Sequence, residues 1–129
     1  MSIFKTIFGN SEEQNSESDN INWIPLTDNN QLNEIIANSA NKPIVIFKHS
    51  TRCSISRMAL KQLEREFDLK ETIDTYFLDL LEYRNISNEI SERFHVTHQS
   101  PQLILIKDGK AVYHASHSDI DADSLKTNV

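Results

Sequence analysis

The sequence predicts an α/β fold in which helices cover both faces of a central mixed β-sheet. Short apolar runs rich in β-branched residues alternate with segments whose apolar residues recur every three or four positions. This is the pattern of strands alternating with amphipathic helices. Near the end of the chain two apolar runs follow each other across Asp108-Gly109, which is a strong hairpin signal. The predicted order is β-α-β-α-β-α-β-β-α.

The first half of the chain supplies an edge strand, a helix and a central strand. Residues 21–26 predict a short strand, and Pro25 is compatible with an edge position. Residues 27–29 offer caps for a helix that ends before Pro43, with an apolar face of Leu32, Ile35 and Ile36. Residues 44–47 are continuously β-branched or aromatic, which predicts a strand buried on both faces at the centre of the sheet.

The second half continues the alternation and then ends antiparallel. A helix follows Cys53, with a predicted buried stripe of Ile55, Met58, Ala59, Leu63 and Phe67. Residues 75–80 predict a second interior strand and residues 86–94 a helix, so we expect parallel pairing through crossovers. Residues 103–106 and 111–115 form the hairpin. A last helix near residues 120–126 adds Ile120 and Leu125 to the core, with Ala122 beside them.

Composition favours one domain preceded by a tail. A chain of 129 residues, 38% of them hydrophobic, can bury one core of ordinary size. Residues 10–20 contain no apolar side chain, so we expect residues 1–20 to form a flexible N-terminal tail and residues 21–129 the domain. The apolar residues of the tail, Ile3, Phe4, Ile7 and Phe8, are either a short amphipathic turn that docks on a surface or incidental residues of a frayed terminus.

Charge and cysteine usage exclude several classes of function. The net charge of −6 gives no positive field for nucleic acid, and no 18-residue apolar span predicts a membrane helix. The single cysteine cannot form an intramolecular disulfide, which fits a reducing compartment, and we expect the cytoplasm. Because Cys and His lack metal-ligand spacing, we expect no metal and no bound cofactor.

Cys53 is the candidate nucleophile of the chain. It lies where the predicted central strand turns into a helix, and the exposed amides of a helix start favour thiolate over thiol. Arg52 and Lys48 are expected to add positive charge. Without this position, a lone cysteine would more often be a small buried hydrophobe.

The sequence resembles the thioredoxin superfamily, which places its reactive cysteine after a central strand at the start of a helix. The segment His98-Gln-Ser-Pro-Gln102 supplies the candidate for the superfamily's cis-proline, Pro101. Cys53-Ser-Ile-Ser56 has the C-x-x-S form of a monothiol member. The wider string of residues 47–60 is similar to the YtxJ family of monothiol bacilliredoxins. That resemblance covers residues 21–129 and departs at Ser54, where the family usually carries proline.

The resemblance implies a cytoplasmic, thioredoxin-like oxidoreductase acting after oxidative stress. Cys53 would take bacillithiol from S-bacillithiolated client proteins, with Ser56 donating its hydroxyl to the sulfur. Bacillithiol is then the co-substrate, and a second bacillithiol or a thiol reductase system regenerates Cys53. The residues expected to contact substrate are Arg52, Ser54, Ile55, Ser100 and Pro101. Ser54 in place of proline is expected to change reactivity while activity is retained.

Other interpretations remain open from the sequence. The chain could be a non-catalytic thioredoxin-like adaptor that holds extended partner chains at the Pro101 groove. A peroxidase-type thiol is less favoured, because the expected threonine-rich motif is absent. His49 is either a proton carrier near Cys53 or a solvent-facing residue at the strand end, and Asp79 is either a buried proton acceptor or a strand-end carboxylate in water.

Overall fold

The computed structural model describes residues 20–129, and within them it confirms the predicted order of elements. The predicted tail lies outside the described residues, apart from Asn20. The described strands are β1 (Trp23–Pro25), β2 (Ile44–His49), β3 (Asp74–Asp79), β4 (Gln102–Lys107) and β5 (Lys110–Ser116). The described helices are α1 (Asn30–Asn38), α2 (Ser54–Glu66), α3 (Arg84–Phe94) and α4 (Ala122–Asn128), with a 3₁₀ turn at His117–Asp119.

The strands form one mixed sheet in the order β1-β3-β2-β4-β5. Both β1 and β2 run parallel to β3, because a helix returns the chain to the same end of the sheet between them. Strand β4 is antiparallel to β2 and to β5. The predicted centre of the sheet at β2 and the predicted edge at β1 are therefore both confirmed.

The core divides into two layers because successive residues of a strand point to opposite faces of the sheet. On one face Ile44 and Ile46 pack with the apolar residues of α1 and α3. On the other face Val45 and Phe47 pack with those of α2 and α4. Strand β2 is buried along its whole length, as its continuous apolar run predicts. None of the helices within residues 20–129 is long and apolar enough to cross a membrane.

The β4–β5 hairpin has the predicted turn. Asp108 and Gly109 both have positive φ, 53° and 75°, which is the backbone of a type I′ turn. Ser39 at the end of α1 accepts hydrogen bonds from both turn amides, 3.0 Å from Asp108 N to its carbonyl and 2.7 Å from Gly109 N to its hydroxyl. The turn is thereby attached to the first helix.

The predicted buried stripe of α2 is wrong at its first turn. Ile55 is 55% exposed and Met58 is 70% exposed, whereas the buried residues of the helix are Ser56, Ala59 and Leu63. The polar Ser56 occupies the stripe because it has hydrogen-bond partners beneath the helix, and this turns the neighbouring apolar side chains outward. Ile36 of α1 was also expected inside and is 37% exposed.

Candidate thiol site

Cys53 lies between the end of β2 and the start of α2, at the cap position that precedes the first helical residue. Its backbone is extended, with φ −108° and ψ 121°, and its side chain is half-buried. Its amide donates to the carbonyl of Ser50 at 3.2 Å, and its carbonyl accepts the amide of Arg57 at 3.1 Å. A side chain at this position lies beside the first amides of the helix, which have no intrahelical acceptor. The predicted strand-to-helix position of the thiol is confirmed.

Ser56 is fully buried and joins the first turn of α2 to the end of β2. Its Oγ lies 2.7 Å from Nδ1 of His49 and accepts the amide of Ser50 at 3.1 Å. A hydroxyl has one proton and two acceptor sites, and the Ser50 amide fills one of these sites. If Nδ1 of His49 accepts, the hydroxyl proton is used. If Nδ1 donates, the hydroxyl proton stays available for another acceptor.

His49 is buried at 5% exposure, so the solvent-facing interpretation is wrong. Its ring stacks on Phe47 at 6.2 Å between centroids and tilts against Phe77 at 5.3 Å. Burial lowers the pKa of His49 below the ordinary 6.5, the carboxylate of Asp79 opposes this, and the guanidinium of Arg57 adds to it. The ring is therefore neutral near pH 7, and its Nδ1 can either accept or donate.

Asp79 ends β3 and is the strand neighbour of His49 in the parallel pair β2–β3. It is half-buried, and its Oδ1 accepts the amide of Leu81 at 3.2 Å. The carboxylate is thus held at the same end of the sheet as Cys53, on the strand next to His49. Its negative charge opposes the lowering of the pKa of His49 by burial.

Lys48 points away from the helix that begins beside Cys53, whereas its place in the sequence predicts its charge near the thiol. It is fully buried on the face of β2 that carries Ile46, whereas α2 covers the face that carries Phe47 and His49. Its Nζ lies 3.0 Å from Nδ1 of His98, and burial lowers the pKa of Lys48 to about 8.

The Ser100–Pro101 peptide bond is cis, as predicted. Pro101 directly precedes β4. Because Gln102 pairs with Lys48, Pro101 lies opposite the carboxyl end of β2. The carbonyl of Pro101 accepts the amide of His117 at 3.1 Å, and the Oγ of Ser100 is buried without a partner among the described residues. The topology therefore brings the cis-proline to the end of the sheet where the cysteine loop begins.

The other predicted substrate contacts surround Cys53 at the surface. Arg52, Ser54 and Ile55 are all exposed. Ile55 and Met58 line one side of a shallow apolar hollow, whose other side is formed by His117, Ser118 and Ile120. Within residues 20–129 no three His, Cys, Asp or Glu side chains cluster so that they could hold a metal ion.

Comparison with known proteins identifies the family. The family model described as monothiol bacilliredoxin BrxC matches residues 24–125. The chain belongs to the monothiol bacilliredoxin family. The family assignment supports a thiol redox function on a thioredoxin fold.

Solved structures show the same thioredoxin fold. A structure described as an oxidoreductase with a thioredoxin fold is 30% identical, with a TM-score of 0.72, and the match covers 82% of this chain and 92% of that one. Thioredoxin f from spinach chloroplast, at 15% identity and a TM-score of 0.64, covers 89% of each chain. A thioredoxin from Malassezia sympodialis is 18% identical, with a TM-score of 0.63, and the match covers 80% of this chain and 84% of that one. The last two show the shared fold.

Sequence reasoning named Ser56 and His49 but did not find the contacts that support the site from beneath. The bond between His49 and Ser56 follows from strand alternation, because His49 shares the face of Phe47, on which α2 packs. The contact between Lys48 and His98 joins residues 50 positions apart, so no local sequence pattern predicts it.

Proposed function

We propose that this member of the bacilliredoxin family removes bacillithiol from S-bacillithiolated protein cysteines through a mixed disulfide on Cys53. The observation that best supports this proposal is the half-buried Cys53 at the cap of α2, with a buried serine where a dithiol enzyme would have its second thiol. Such a site can form a mixed disulfide and cannot resolve it internally.

The first step exchanges one disulfide for another. The thiolate of Cys53 attacks the bacillithiol sulfur of the client disulfide, and the client cysteine leaves as a thiolate. The bond that forms joins Cys53 to bacillithiol, so no net oxidation takes place. Ser56 supports this step if its hydroxyl proton points to the sulfur, which requires Nδ1 of His49 to donate to Oγ.

The second step needs an external thiol because this sequence has one cysteine. A bacillithiol thiolate attacks the bacillithiol sulfur on Cys53, which releases the Cys53 thiolate and bacillithiol disulfide. A thiol reductase system can take the place of the second bacillithiol, with its own dithiol becoming oxidised. In either case the electrons come from the external thiol, and bacillithiol is a co-substrate.

Client binding is assigned to the surface around Cys53. Ser100 before the cis-proline is expected to present its backbone to an extended client segment, and the exposed Arg52, Ser54 and Ile55 are expected to contact the bacillithiolated region. Apolar client side chains fit the hollow beside Ile55 and Met58.

The test is intact mass of the protein after incubation with a bacillithiolated client. The native chain should gain one bacillithiol while the client loses one, and added bacillithiol should then restore the unmodified mass. Cys53→Ala and Cys53→Ser should show neither change. Ser54→Pro, which restores the residue usual in the family, is the variant expected to retain the transfer at an altered rate.

An adaptor would give a different result. If the client keeps its bacillithiol while Cys53 still reacts with a small alkylating reagent, the transfer proposal is refuted. Retained binding of the client by Cys53→Ala would then assign the chain to the non-catalytic adaptors.

A further inference from the structure

The amine of Lys48 is fully buried and has no carboxylate partner within residues 20–129. The ion pairs within residues 20–129 are Lys42–Asp74, Glu89–Arg93 and Lys126–Asp68, and none of them includes it. A buried ammonium without a counter-ion opposes folding, and an apolar side chain of similar length would fill the same space at lower cost. Stability therefore does not explain a lysine in the most buried strand of the sheet.

The contacts of Lys48 lead to the segment that precedes the cis-proline. Its Nζ lies 3.0 Å from Nδ1 of His98. That histidine nitrogen also lies 3.2 Å from Oγ of Ser87 on α3. His98 itself is exposed and stands three residues before Pro101. The buried amine thus supports a surface loop from beneath, because it reaches the inner side of an exposed imidazole.

A second buried side chain supports the same loop. Gln102 is fully buried, and its Nε2 donates to the carbonyl of Thr97 at 3.0 Å. Gln102 and Lys48 are directly paired across β2 and β4, so their side chains stand together on one face. Two neighbouring polar groups therefore bind the start of residues 97–100, at the carbonyl of Thr97 and at the ring of His98.

The hydrogen-bond direction in this cluster follows from its protonation states, because an ammonium can only donate. Burial lowers the pKa of His98, and the positive charges of Lys48 and of Arg84 at the start of α3 lower it further. The ring is neutral near pH 7, so its Nδ1 can accept a hydrogen bond from the ammonium of Lys48 or from the hydroxyl of Ser87. The lysine is then the donor and the loop histidine the acceptor.

We propose that Lys48 is a positioning residue for client binding, which holds residues 97–100 through His98 so that the backbone of Ser100 is presented to the client. The proposal rests on the function proposed above, because it assigns client recognition to that loop. Lys48 acts on the face of the sheet opposite α2, so it affects binding of the client and leaves the reactivity of the thiol unchanged.

The test compares Lys48→Met with Lys61→Met, a matched change at an exposed lysine of α2. Three quantities are measured: kcat and KM with a bacillithiolated client, the alkylation rate of Cys53 by iodoacetamide, and amide hydrogen exchange over residues 97–100. Losing one hydrogen bond to a charged donor should raise KM about tenfold in Lys48→Met. Exchange in residues 97–100 should become faster, and alkylation should stay within about twofold of the native rate. Lys61→Met should leave all three unchanged.

The role of His98 is tested by a double variant. His98→Ala should raise KM as much as Lys48→Met does, and the two changes together should cost no more than either alone. Additive losses, unchanged exchange, or an alkylation rate that falls with KM would overturn the proposal. If the native chain does not react with the client, the proposed function fails, and the exchange measurement alone then decides whether Lys48 holds the loop.

Discussion

Replacing Ser56 by alanine is expected to lower the free energy of unfolding by about 2 kcal/mol. The serine hydroxyl is completely buried and has two partners, Nδ1 of His49 at 2.7 Å and the amide of Ser50 at 3.1 Å. Alanine removes the oxygen and leaves a buried imidazole nitrogen and a partly buried amide unpaired. The cost therefore includes the desolvation of these two groups as well as the loss of the bonds.

The magnitude follows from these two contacts. An ordinary hydrogen bond contributes about 1 kcal/mol net, and a buried group left unpaired costs about 1–3 kcal/mol. Two groups give about 2.5 kcal/mol, of which about 0.5 kcal/mol is returned because alanine favours the helix. For a domain whose total stability is about 5–15 kcal/mol, this is a large loss for one oxygen atom.

The assay is urea unfolding of four chains: native, Ser56→Ala, His49→Phe and the double variant. We expect Ser56→Ala to lower the midpoint by about 1 M. In the His49→Phe background the same change should cost only about 1 kcal/mol, because the Ser50 amide is then its remaining partner. Ser54→Ala, at an exposed serine of the same turn, is the control and should stay within about 0.5 kcal/mol of the native chain. An equal cost in both backgrounds would refute the pairing of Ser56 with His49.

Three further predictions concern stability. Because burial lowers the pKa of Lys48 from 10.5 to about 8, the unfolded chain binds its proton more tightly. The free energy of unfolding of the native chain relative to Lys48→Met should therefore rise between pH 8 and pH 10.5, by at most about 3 kcal/mol in urea titrations; a flat difference would contradict burial of the charge. Gly109→Ala should lower thermal stability by about 1 kcal/mol, because φ is +75° and the added Cβ would lie 3.3 Å from Cγ2 of Ile36. Asp121→Ala should lower the free energy of unfolding by about 1 kcal/mol, because it removes the N-cap of α4. Hydrogen bonds from Ser124 lower the pKa of Asp121, so the stability contributed by this cap should be lost as the pH falls below 3.8. Unfolding followed by circular dichroism checks both expectations.

The sequence predicted those features that depend on local pattern or on family resemblance. Strand β2 follows from four consecutive β-branched or aromatic residues, the hairpin from Asp108-Gly109, and the cis bond at Pro101 from the resemblance. Each of these is confirmed. The positions of Cys53 at a helix cap and of Pro101 before β4 likewise follow from the order of strands and helices.

The polar groups beneath the site could not be predicted in the same way. Apolar spacing assigned Ile55 to the buried stripe of α2, and the structure gives that place to Ser56 because its hydroxyl is bonded to the end of β2. Lys48 stood near Cys53 in sequence, yet strand alternation sends it to the opposite face. Both results depend on tertiary hydrogen bonds, which a pattern of hydrophobic residues does not record.

The last two residues of β2 support different parts of the site. His49 points toward α2 and binds Ser56 beside the cysteine, whereas Lys48 points toward α3 and binds His98 beside the cis-proline. Consecutive residues thus support the two halves of one site from opposite faces of the sheet. If this division is correct, changes at Ser56 alter the alkylation rate of Cys53 without raising KM for the client, and Lys48→Met raises KM without altering alkylation. A variant of either residue that changed both quantities equally would show that the two halves respond as one unit.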